Sequence, residues 1–366
     1  MRATVITKYA ELLLDYCMEL KAGERLLVNT TTLAEPLVTE LYQQCMVRGV
    51  VMDVIFDFEG KVEHFNKMGH AAQAGYLSPT YELAMREFEG YLVIRAPFEA
   101  TEARLATPEI ASIASDRRAE SNNIYFKRTA TRELKRNLCQ YPTEQGAKSA
   151  GMSLKEHSDF IVNACYLDEE VPADHWRKLG KSQQHIVDRL NSHENFTYVG
   201  SGFNISFNTK GRTWINSDGK TNMPSGEVYT SPVEDSVQGN IRFSFPSLFQ
   251  GYALNNVELQ VKDGYITDWS CDNDWEVLNE AMNIPGARRF GEAAIGTNYR
   301  IGKLTRNILF DEKIGGSVHM AVGQSYLQAG GKNESTLHWD MITDMTQGGK
   351  ILADGVVIYE NGKFLF

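Results

Sequence analysis

The chain has 366 residues, of which 42% are hydrophobic, 23% charged and 10% aromatic. This composition is typical of globular proteins and excludes a mainly disordered or fibrous chain, and the length predicts two domains. The net charge of −10 excludes a chain-wide basic surface for nucleic acid.

The N-terminal segment predicts an amphipathic helix rather than a signal peptide. Glu11, Asp15 and Glu19 interrupt its apolar residues, and no small-residue cleavage site follows. Because no run of about 18 uncharged apolar residues occurs, we expect no membrane span. The five cysteines are widely spaced without a CxxC motif, which predicts reduced, buried thiols in a cytoplasmic protein.

Alternating strands and helices are predicted next. They are a turn at 21–24, strands at Arg25–Asn29, Val50–Phe56 and Glu89–Arg95, and a helix at Glu35–Arg48 that ends at Gly49. Strands separated by helices of this length indicate βαβ units around a parallel sheet. No GxGxxG follows a strand, which disfavours a dinucleotide site. We therefore predict an α/β fold whose N-terminal domain, residues 1–195, is Rossmann-like and binds no organic cofactor.

The remainder of this domain is more polar. Residues 104–137 are rich in Arg, Lys, Ala and Ser. A phosphate-binding patch is one interpretation, but a solvated helix face is favoured because no P-loop accompanies the charges. A helix is predicted at 149–165, an acidic interdomain crossover at 166–180, and a last helix at 178–191.

From residue 196 onward the pattern changes to short alternating strands. Phe196–Gly211, Arg242–Phe249 and Val257–Trp269 alternate apolar and polar residues between turns. The DG in KDGYITDW and the NG in YENGKFLF are typical of hairpin turns. We predict a strand-rich, largely antiparallel α+β domain over residues 196–366.

Most histidines lie in polar contexts that indicate surface positions: His64, His70, His157, His175, His185 and His193. His319 differs, because the run GGSVHMAVG predicts burial, where an imidazole needs a partner. His338 and Asp340 are two residues apart, so on a strand both side chains project from the same face.

Two glutamates complete a candidate set of metal ligands. Glu227 lies between turn residues and a predicted strand, and Glu292 follows a glycine at the start of an apolar, small-residue run. Together with His319, His338 and Asp340 they supply three carboxylates and two imidazoles, which suit Zn²⁺, Mn²⁺ or Co²⁺. Five ligands exceed the need of one catalytic zinc, and a bridging carboxylate would let them hold two ions about 3.5–4 Å apart.

Spacing alone nevertheless favours separate structural roles for these residues. Glu227 could cap a turn, Glu292 could cap a helix N-terminus, and His319 could be a core histidine with a hydrogen-bond partner. His338 and Asp340 could form an ordinary salt bridge on a strand.

Several long segments of the second half carry a more specific signal. In chain order they are MPSGEVYTSPVEDSVQG, RRFGEAAIGTN, ILFDEKIGGSVHMAVGQSY, GGKNESTLHWDMI and VVIYENGKF. Together they resemble the M29 metallo-aminopeptidases, the thermophilic aminopeptidase or aminopeptidase T family. The resemblance is looser in the first half, where it rests on the opening helix and strand and on CQYPTEQGAKSAGMSLKEHSDFIVNAC.

The resemblance implies a two-metal exopeptidase that removes N-terminal residues from peptides with a free N-terminus and acts as a homodimer. It implies that the C-terminal domain is catalytic and binds two divalent ions (Zn²⁺, Co²⁺ or Mn²⁺, with Mg²⁺ also allowed). The implied ligands are Glu227, Glu292, His319, His338 and Asp340, with Glu292 bridging the ions.

Three residues have catalytic roles by the same resemblance. Tyr326 would stabilise the transition state, although on its own it would be interpreted as a core aromatic. Glu292 or Glu312 would accept the proton of the attacking water, and Glu312 could alternatively be a further ligand or a residue supporting the ligands.

Two other functions remain open at this level. One is a metal-dependent amidase or carboxypeptidase acting on small substrates, which would not require a free α-amine. The other is a non-catalytic dimer whose α/β half binds a small ligand, which would not require two bound ions. Neither a membrane nor a nucleic acid is expected as a partner.

Overall fold

The computed structural model describes residues 1–74, 76–98 and 108–366, without the side chains of residues 108, 109, 111, 112 and 115. The described chain forms two compact units. The first comprises Met1–His175 with Gly219–Pro224, and the second comprises Trp176–Asp218 with Ser225–Phe366.

The division between the units differs in place from the boundary predicted between residues 195 and 196. Most of the helix Pro172–Leu190 belongs to the second unit, because Val187 and Leu190 on that helix are buried in its hydrophobic core.

The first unit contains a five-stranded parallel sheet, as predicted. Its strands lie in the order Val51–Asp57, Arg25–Thr31, Gly90–Arg95, Lys135–Gln140 and Asn222–Met223. The helices of this unit are Ala3–Glu11, a π-helix Leu12–Cys17, a 3₁₀ turn Thr32–Ala34, Glu35–Arg48, Lys61–Met68, Ala71–Ala74, Pro79–Glu87, Pro108–Ala130, Glu144–Ser149 and Leu154–Ala164. The α/β class of the first half is therefore confirmed.

The helix Glu35–Arg48 shows why several predicted bounds hold. It ends at Gly49, whose φ of 72° lies in the left-handed region, where a residue without a Cβ is favoured. Leu37, Val38 and Leu41 form its buried face, as their spacing predicts.

One strand lies where the sequence predicts a solvated helix face. Residues 104–137 are predicted as one helical segment, but they form the helix Pro108–Ala130 and then the first residues of the strand Lys135–Gln140. Residues 104–107 lie outside the described part of the chain. The strand begins with charged residues, so its sequence lacks an apolar alternation. Lys135 Nζ donates a hydrogen bond to Glu24 Oε1 at 2.7 Å. The side chain of buried Asn137 donates to the Gly219 carbonyl oxygen at 2.9 Å.

Two further predictions in this region need correction. The crossover predicted at 166–180 is helical from Pro172 onward, because the proline occupies a favourable first-turn position. His157, predicted at the surface, is only 2% exposed. Burial lowers its pKa to about 4, so the imidazole is neutral near pH 7.

The second unit is built from antiparallel sheets. An eight-stranded sheet has the order Tyr265–Ser270, Val257–Lys262, Gln238–Phe243, Phe203–Asn208, Asn195–Gly200, Lys350–Ala353, Val356–Glu360 and Lys363–Phe364. A five-stranded sheet has the order His338–Asp344, Ser317–Gly323, Phe290–Gly296, Glu227–Thr230 and Ile215–Ser217. Smaller elements are the hairpin Ser247–Phe249 and Tyr252–Leu254, the helices Trp275–Met282 and Ile308–Asp311, and a 3₁₀ turn Leu327–Ala329.

The hydrophobic core of the second unit draws on both of these sheets. Phe196 and Phe243 from the eight-stranded sheet and Val318 and Met320 from the five-stranded sheet are fully buried in one cluster. This core supports the five-stranded sheet from one side and leaves its other face free to carry polar groups.

The prediction of buried thiols holds for four of the five cysteines. All five cysteines are free, and four of them are buried. Among the described residues, no helix is long and apolar enough to cross a bilayer.

Gly226 lies immediately before the strand Glu227–Thr230, and its replacement tests how much the close approach of the backbone to Asn298 contributes to stability. Its φ is +113°, and a Cβ would lie 2.7 Å from the Asn298 Cβ. We expect Gly226→Ala to lower the free energy of unfolding by about 1–2 kcal/mol through the backbone conformation and by about 1–3 kcal/mol more through the clash, measured by urea denaturation. Gly202→Ala is the matched control, because its φ is +80° but nothing lies within 4 Å of its Cβ. Equal losses for the two variants would contradict a role for the close approach to Asn298.

Candidate metal centre

The register of the five-stranded sheet brings distant acidic residues into one row. Glu292 pairs with Ala321, and Ala321 pairs with Asp340 on the next strand. Directly paired residues of an antiparallel sheet project from the same face. Because Ala321 is small, the carboxylates on either side of it are not separated by a bulky side chain.

The same face carries the other predicted ligands. His319 and His338 lie two residues before Ala321 and Asp340 on their strands, and side chains two apart share a face. Glu227 lies two residues before Tyr229, which shares a row with Ala294 and His319. All five predicted ligands therefore occupy one face, although they come from four strands.

The local sequences explain why these polar groups are held there. In Ser317–Gly323, Val318, Met320 and Val322 belong to the hydrophobic core, so the alternation of the strand places His319 on the opposite face. The strand is buried throughout, and the imidazole is 1% exposed. The buried apolar residues thus fix the direction of the histidine.

The ligand atoms converge at the centre of this face. His319 Nε2 lies 3.6 Å from Glu227 Oε2 and 3.7 Å from Glu292 Oε1. His338 Nε2 lies 3.2 Å from Glu292 Oε2 and 3.5 Å from Asp340 Oδ1. The two oxygens of Glu292 therefore face different histidines.

A backbone carbonyl orients the ring of His338. Its Nδ1 lies 2.8 Å from the Gln324 carbonyl oxygen, which can only accept, so Nδ1 carries a proton and donates. Nε2 is then the atom that faces Glu292 and Asp340. This is the arrangement in which a metal-binding histidine is usually held.

A buried amide orients the backbone at Glu227. Gln183 is fully buried, and its Nε2 donates to the carbonyl oxygens of Ser217 at 3.0 Å and Glu227 at 3.1 Å. Its Oε1 accepts from Thr297 Oγ1 at 3.0 Å. The helix Pro172–Leu190 thereby fixes the strand on which Glu227 lies.

Glu312 and Lys313 lie at the edge of the cluster. Lys313 is fully buried, contacts Glu312, and lies with Nζ 3.7 Å from Glu227 Oε1. A buried ammonium is stable only when it is paired. Lys313 therefore offsets part of the negative charge of these two glutamates.

The cluster nevertheless carries more carboxylates than this lysine can neutralise. Burial raises the pKa of Glu312 to about 8, against the attraction of Lys313. Burial opposes charge on His319 as well, but the neighbouring carboxylates of Glu292 and Glu227 raise its pKa to about 9. The raised pKa of His319 thus reflects the negative charge of the carboxylates around it.

The donor set fits divalent metal ions. Glu227 Oε2, His338 Nε2 and Asp340 Oδ1 are buried without a hydrogen-bond partner among the described residues, which is costly unless a cation satisfies them. Ligand atoms within 4.8 Å of one another form two groups, Glu292 with His338 and Asp340, and Glu312 with His319 and Asp340. Oxygen and imidazole donors suit Zn²⁺, Mn²⁺ and Co²⁺.

Tyr326 lies beside this cluster on a loop. Its ring centroid is 5.1 Å from that of His338 and 5.0 Å from that of Tyr229. Its backbone N–H donates to Ser231 Oγ at 3.2 Å, and this hydroxyl donates to the Gly291 carbonyl at 2.7 Å. Burial, followed by the charges of Glu292 and Asp340, raises the pKa of Tyr326, so its hydroxyl stays protonated and can donate.

The structure therefore brings together every residue that the sequence singles out for this site. The roles of these residues stay predictions, including the bridge predicted for Glu292, and Asp340 is a second candidate for the bridge because it belongs to both groups. Sequence reasoning missed Lys313 and Gln183. The position of Lys313 between Phe310 and Ile314 in FDEKIGG was a signal for its burial, whereas Gln183 lies in a polar helix and offered none.

Comparisons with known proteins show which proteins the chain resembles. The sequence model of the thermophilic metalloprotease (M29) family matches residues 3–364. Aminopeptidase 2 of Geobacillus stearothermophilus is 24% identical, with 99% of this chain and 98% of that protein covered. Wild-type AmpT from Thermus thermophilus has a similar structure, with a TM-score of 0.84 at 20% identity and 99% of both chains covered.

A second solved structure shows that the fold by itself does not specify the reaction. The 2,5-dihydroxypyridine dioxygenase from Pseudomonas putida KT2440 has a TM-score of 0.56 at 12% identity, with 99% of this chain and 96% of that chain covered. Activity must therefore be argued from the site.

Replacing Lys313 tests the charge balance of the cluster. In metal-free protein we expect Lys313→Met to lower the free energy of unfolding by about 3 kcal/mol or more, because the variant leaves buried carboxylates without their ammonium partner. Urea denaturation measures the loss, and added Zn²⁺ should reduce it. Lys303→Met is the control, because Lys303 is exposed and its loss should cost under about 0.5 kcal/mol. Equal stability of the two variants would contradict this role of Lys313.

Proposed function

The chain belongs to the M29 family of thermophilic metalloproteases, and on that premise we propose that it is a metallo-aminopeptidase that removes N-terminal residues from peptides using two divalent ions. The premise establishes a metal-dependent hydrolase. The number of ions and the substrate are the parts that we add.

The convergence of the ligand atoms carries the proposal. Three carboxylates and two imidazoles form two groups of three, with Asp340 common to both, and Glu227 lies 3.6 Å from the His319 of the second group. One ion would use three of these side chains, whereas two ions that share a carboxylate would use them all. The similarity to aminopeptidase 2 over the whole chain supports the N-terminal residue of a peptide as the substrate.

The residues of the site have distinct tasks in this mechanism. Glu227, Glu292, His319, His338 and Asp340 would hold the ions, with Glu312 as a further ligand or a base. Bound ions of this kind supply Lewis acidity and lower the pKa of water from about 15.7 toward about 7. Glu292 or Glu312 accepts the proton of the attacking water at a carboxylate oxygen and returns it to the leaving amine.

We assign Tyr326 the role of hydrogen-bond donor to the developing oxyanion. Its hydroxyl is protonated at neutral pH because its pKa is raised, and its ring packs against His338. A donor that is held in place before the reaction stabilises the charge of the tetrahedral intermediate. A homodimer and a cytoplasmic location remain predictions beside this mechanism.

Metal-dependent turnover is the direct test. We expect chelator-treated protein to be inactive on leucyl-p-nitroanilide and to regain activity with Co²⁺, Zn²⁺ or Mn²⁺, measured by release of p-nitroaniline. N-acetyl-leucyl-p-nitroanilide is the matched control, because the acetyl group removes the charge of the α-amine. Equal turnover of both substrates would show that the protein is an amidase and not an aminopeptidase. The absence of bound ions would favour a non-catalytic protein.

Two substitutions separate metal binding from chemistry. Glu292→Gln removes a charged ligand, so both metal content and turnover should fall. Tyr326→Phe removes one donor, so metal content should be unchanged while kcat falls about 10²–10³-fold. Metal content is measured by atomic emission and kcat on the same samples. Full activity of Tyr326→Phe would rule out its proposed role.

A further inference from the structure

A cavity in the second unit opens beside two of the candidate ligands. Its volume is about 150 Å³, and its lining includes His338 and Asp340. The rest of the lining comes from the edge strand His338–Asp344, the hairpin that starts at Ser247, and the segment that leads into the helix Ile308–Asp311. A group in this cavity would therefore touch the ligand cluster directly.

The walls of the cavity are mainly apolar. They are formed by Pro246, Leu248, Leu304, Ile308, Trp339 and Ile342. Trp339 is held by Phe249, with ring centroids 4.8 Å apart. Transfer of an apolar group from water into such a space is favourable.

One further charged residue, Asp311, lines the cavity, and it is already engaged. Its Oδ1 accepts from the Thr305 N–H and from Thr305 Oγ1, both at 2.8 Å. Asp311 is 6% exposed, so little of its carboxyl is available to a cationic side chain. The cavity therefore stabilises a cationic side chain much less than an apolar side chain.

We propose that this cavity binds the side chain of the N-terminal residue of the peptide and selects neutral, apolar side chains such as leucine and phenylalanine. This inference rests on the proposed aminopeptidase function, because that function places the N-terminal residue at His338 and Asp340. A cavity of about 150 Å³ lined by apolar residues can hold a group as large as benzene, so both side chains fit and the indole of tryptophan is too large.

Substrate ranking on the metal-loaded protein tests the proposal. Leucyl- and phenylalanyl-p-nitroanilide should exceed alanyl-p-nitroanilide at least about 10-fold in kcat/KM, and lysyl- and tryptophanyl-p-nitroanilide should be poor substrates. Calorimetric binding of free L-leucine, L-alanine and L-lysine to the same protein should give the same order without requiring turnover. A preference for lysine, or equal values for leucine and alanine, would overturn the proposal.

A cavity-filling variant shows whether these walls set the ranking. Ile308 is 38% exposed, so Ile308→Trp can narrow the cavity without filling the core. Leucine should lose at least about 10-fold in kcat/KM and in affinity, whereas alanine should be nearly unchanged. Val356→Trp is the matched control, because Val356 is 63% exposed on the C-terminal hairpin and does not line the cavity. Identical rankings for the two variants would overturn the proposal.

Failure of the proposed function gives a different result. If no p-nitroanilide is hydrolysed with any metal, but the free amino acids still bind in the predicted order and Ile308→Trp weakens leucine, the cavity assignment stands and the aminopeptidase activity does not. If hydrolysis occurs without the predicted ranking, the activity stands and the cavity assignment does not.

Discussion

The crowding of carboxylates on one buried sheet face is the constraint on which the rest of the site depends. Glu227, Glu292, Glu312 and Asp340 lie so close together that the ammonium of Lys313 cannot neutralise them. Charges held away from water are stable only when they are paired. Burial raises the pKa of Glu312, and neighbouring carboxylates raise the pKa of His319 against the effect of burial. Divalent ions would supply the positive charge that pairs these carboxylates.

Regular strands, rather than loops, position most of the ligands. The pairing of Glu292 with Ala321 and of Ala321 with Asp340 sets the separation of the two carboxylates by sheet geometry. The opposite face packs in the hydrophobic core, so the strands cannot slip without exposing apolar surface. Groups that act on substrate are better suited to loops beside this rigid face, and Tyr326 lies on one.

Where the sequence misled, local composition competed with a tertiary constraint. Lys135–Gln140 starts with charged residues, and only its place between Gly90–Arg95 and Asn222–Met223 makes it a strand. His157 lies in a polar helix, yet the packing of the first unit buries it. The sequence did predict the strands Arg25–Thr31, Val51–Asp57 and Gly90–Arg95 and the helix Glu35–Arg48, because apolar periodicity and glycine stops are local signals.

The sequence by itself determined the two classes of sheet, the burial of His319, and the shared face of His338 and Asp340. These properties follow from the periodicity of a strand and need no distant partner. Only the tertiary structure decided that four separate strands meet with their carboxylates and imidazoles on one face, that Lys313 and Gln183 support them, and that an apolar cavity adjoins them. Those properties depend on strand order and register, which no single segment encodes.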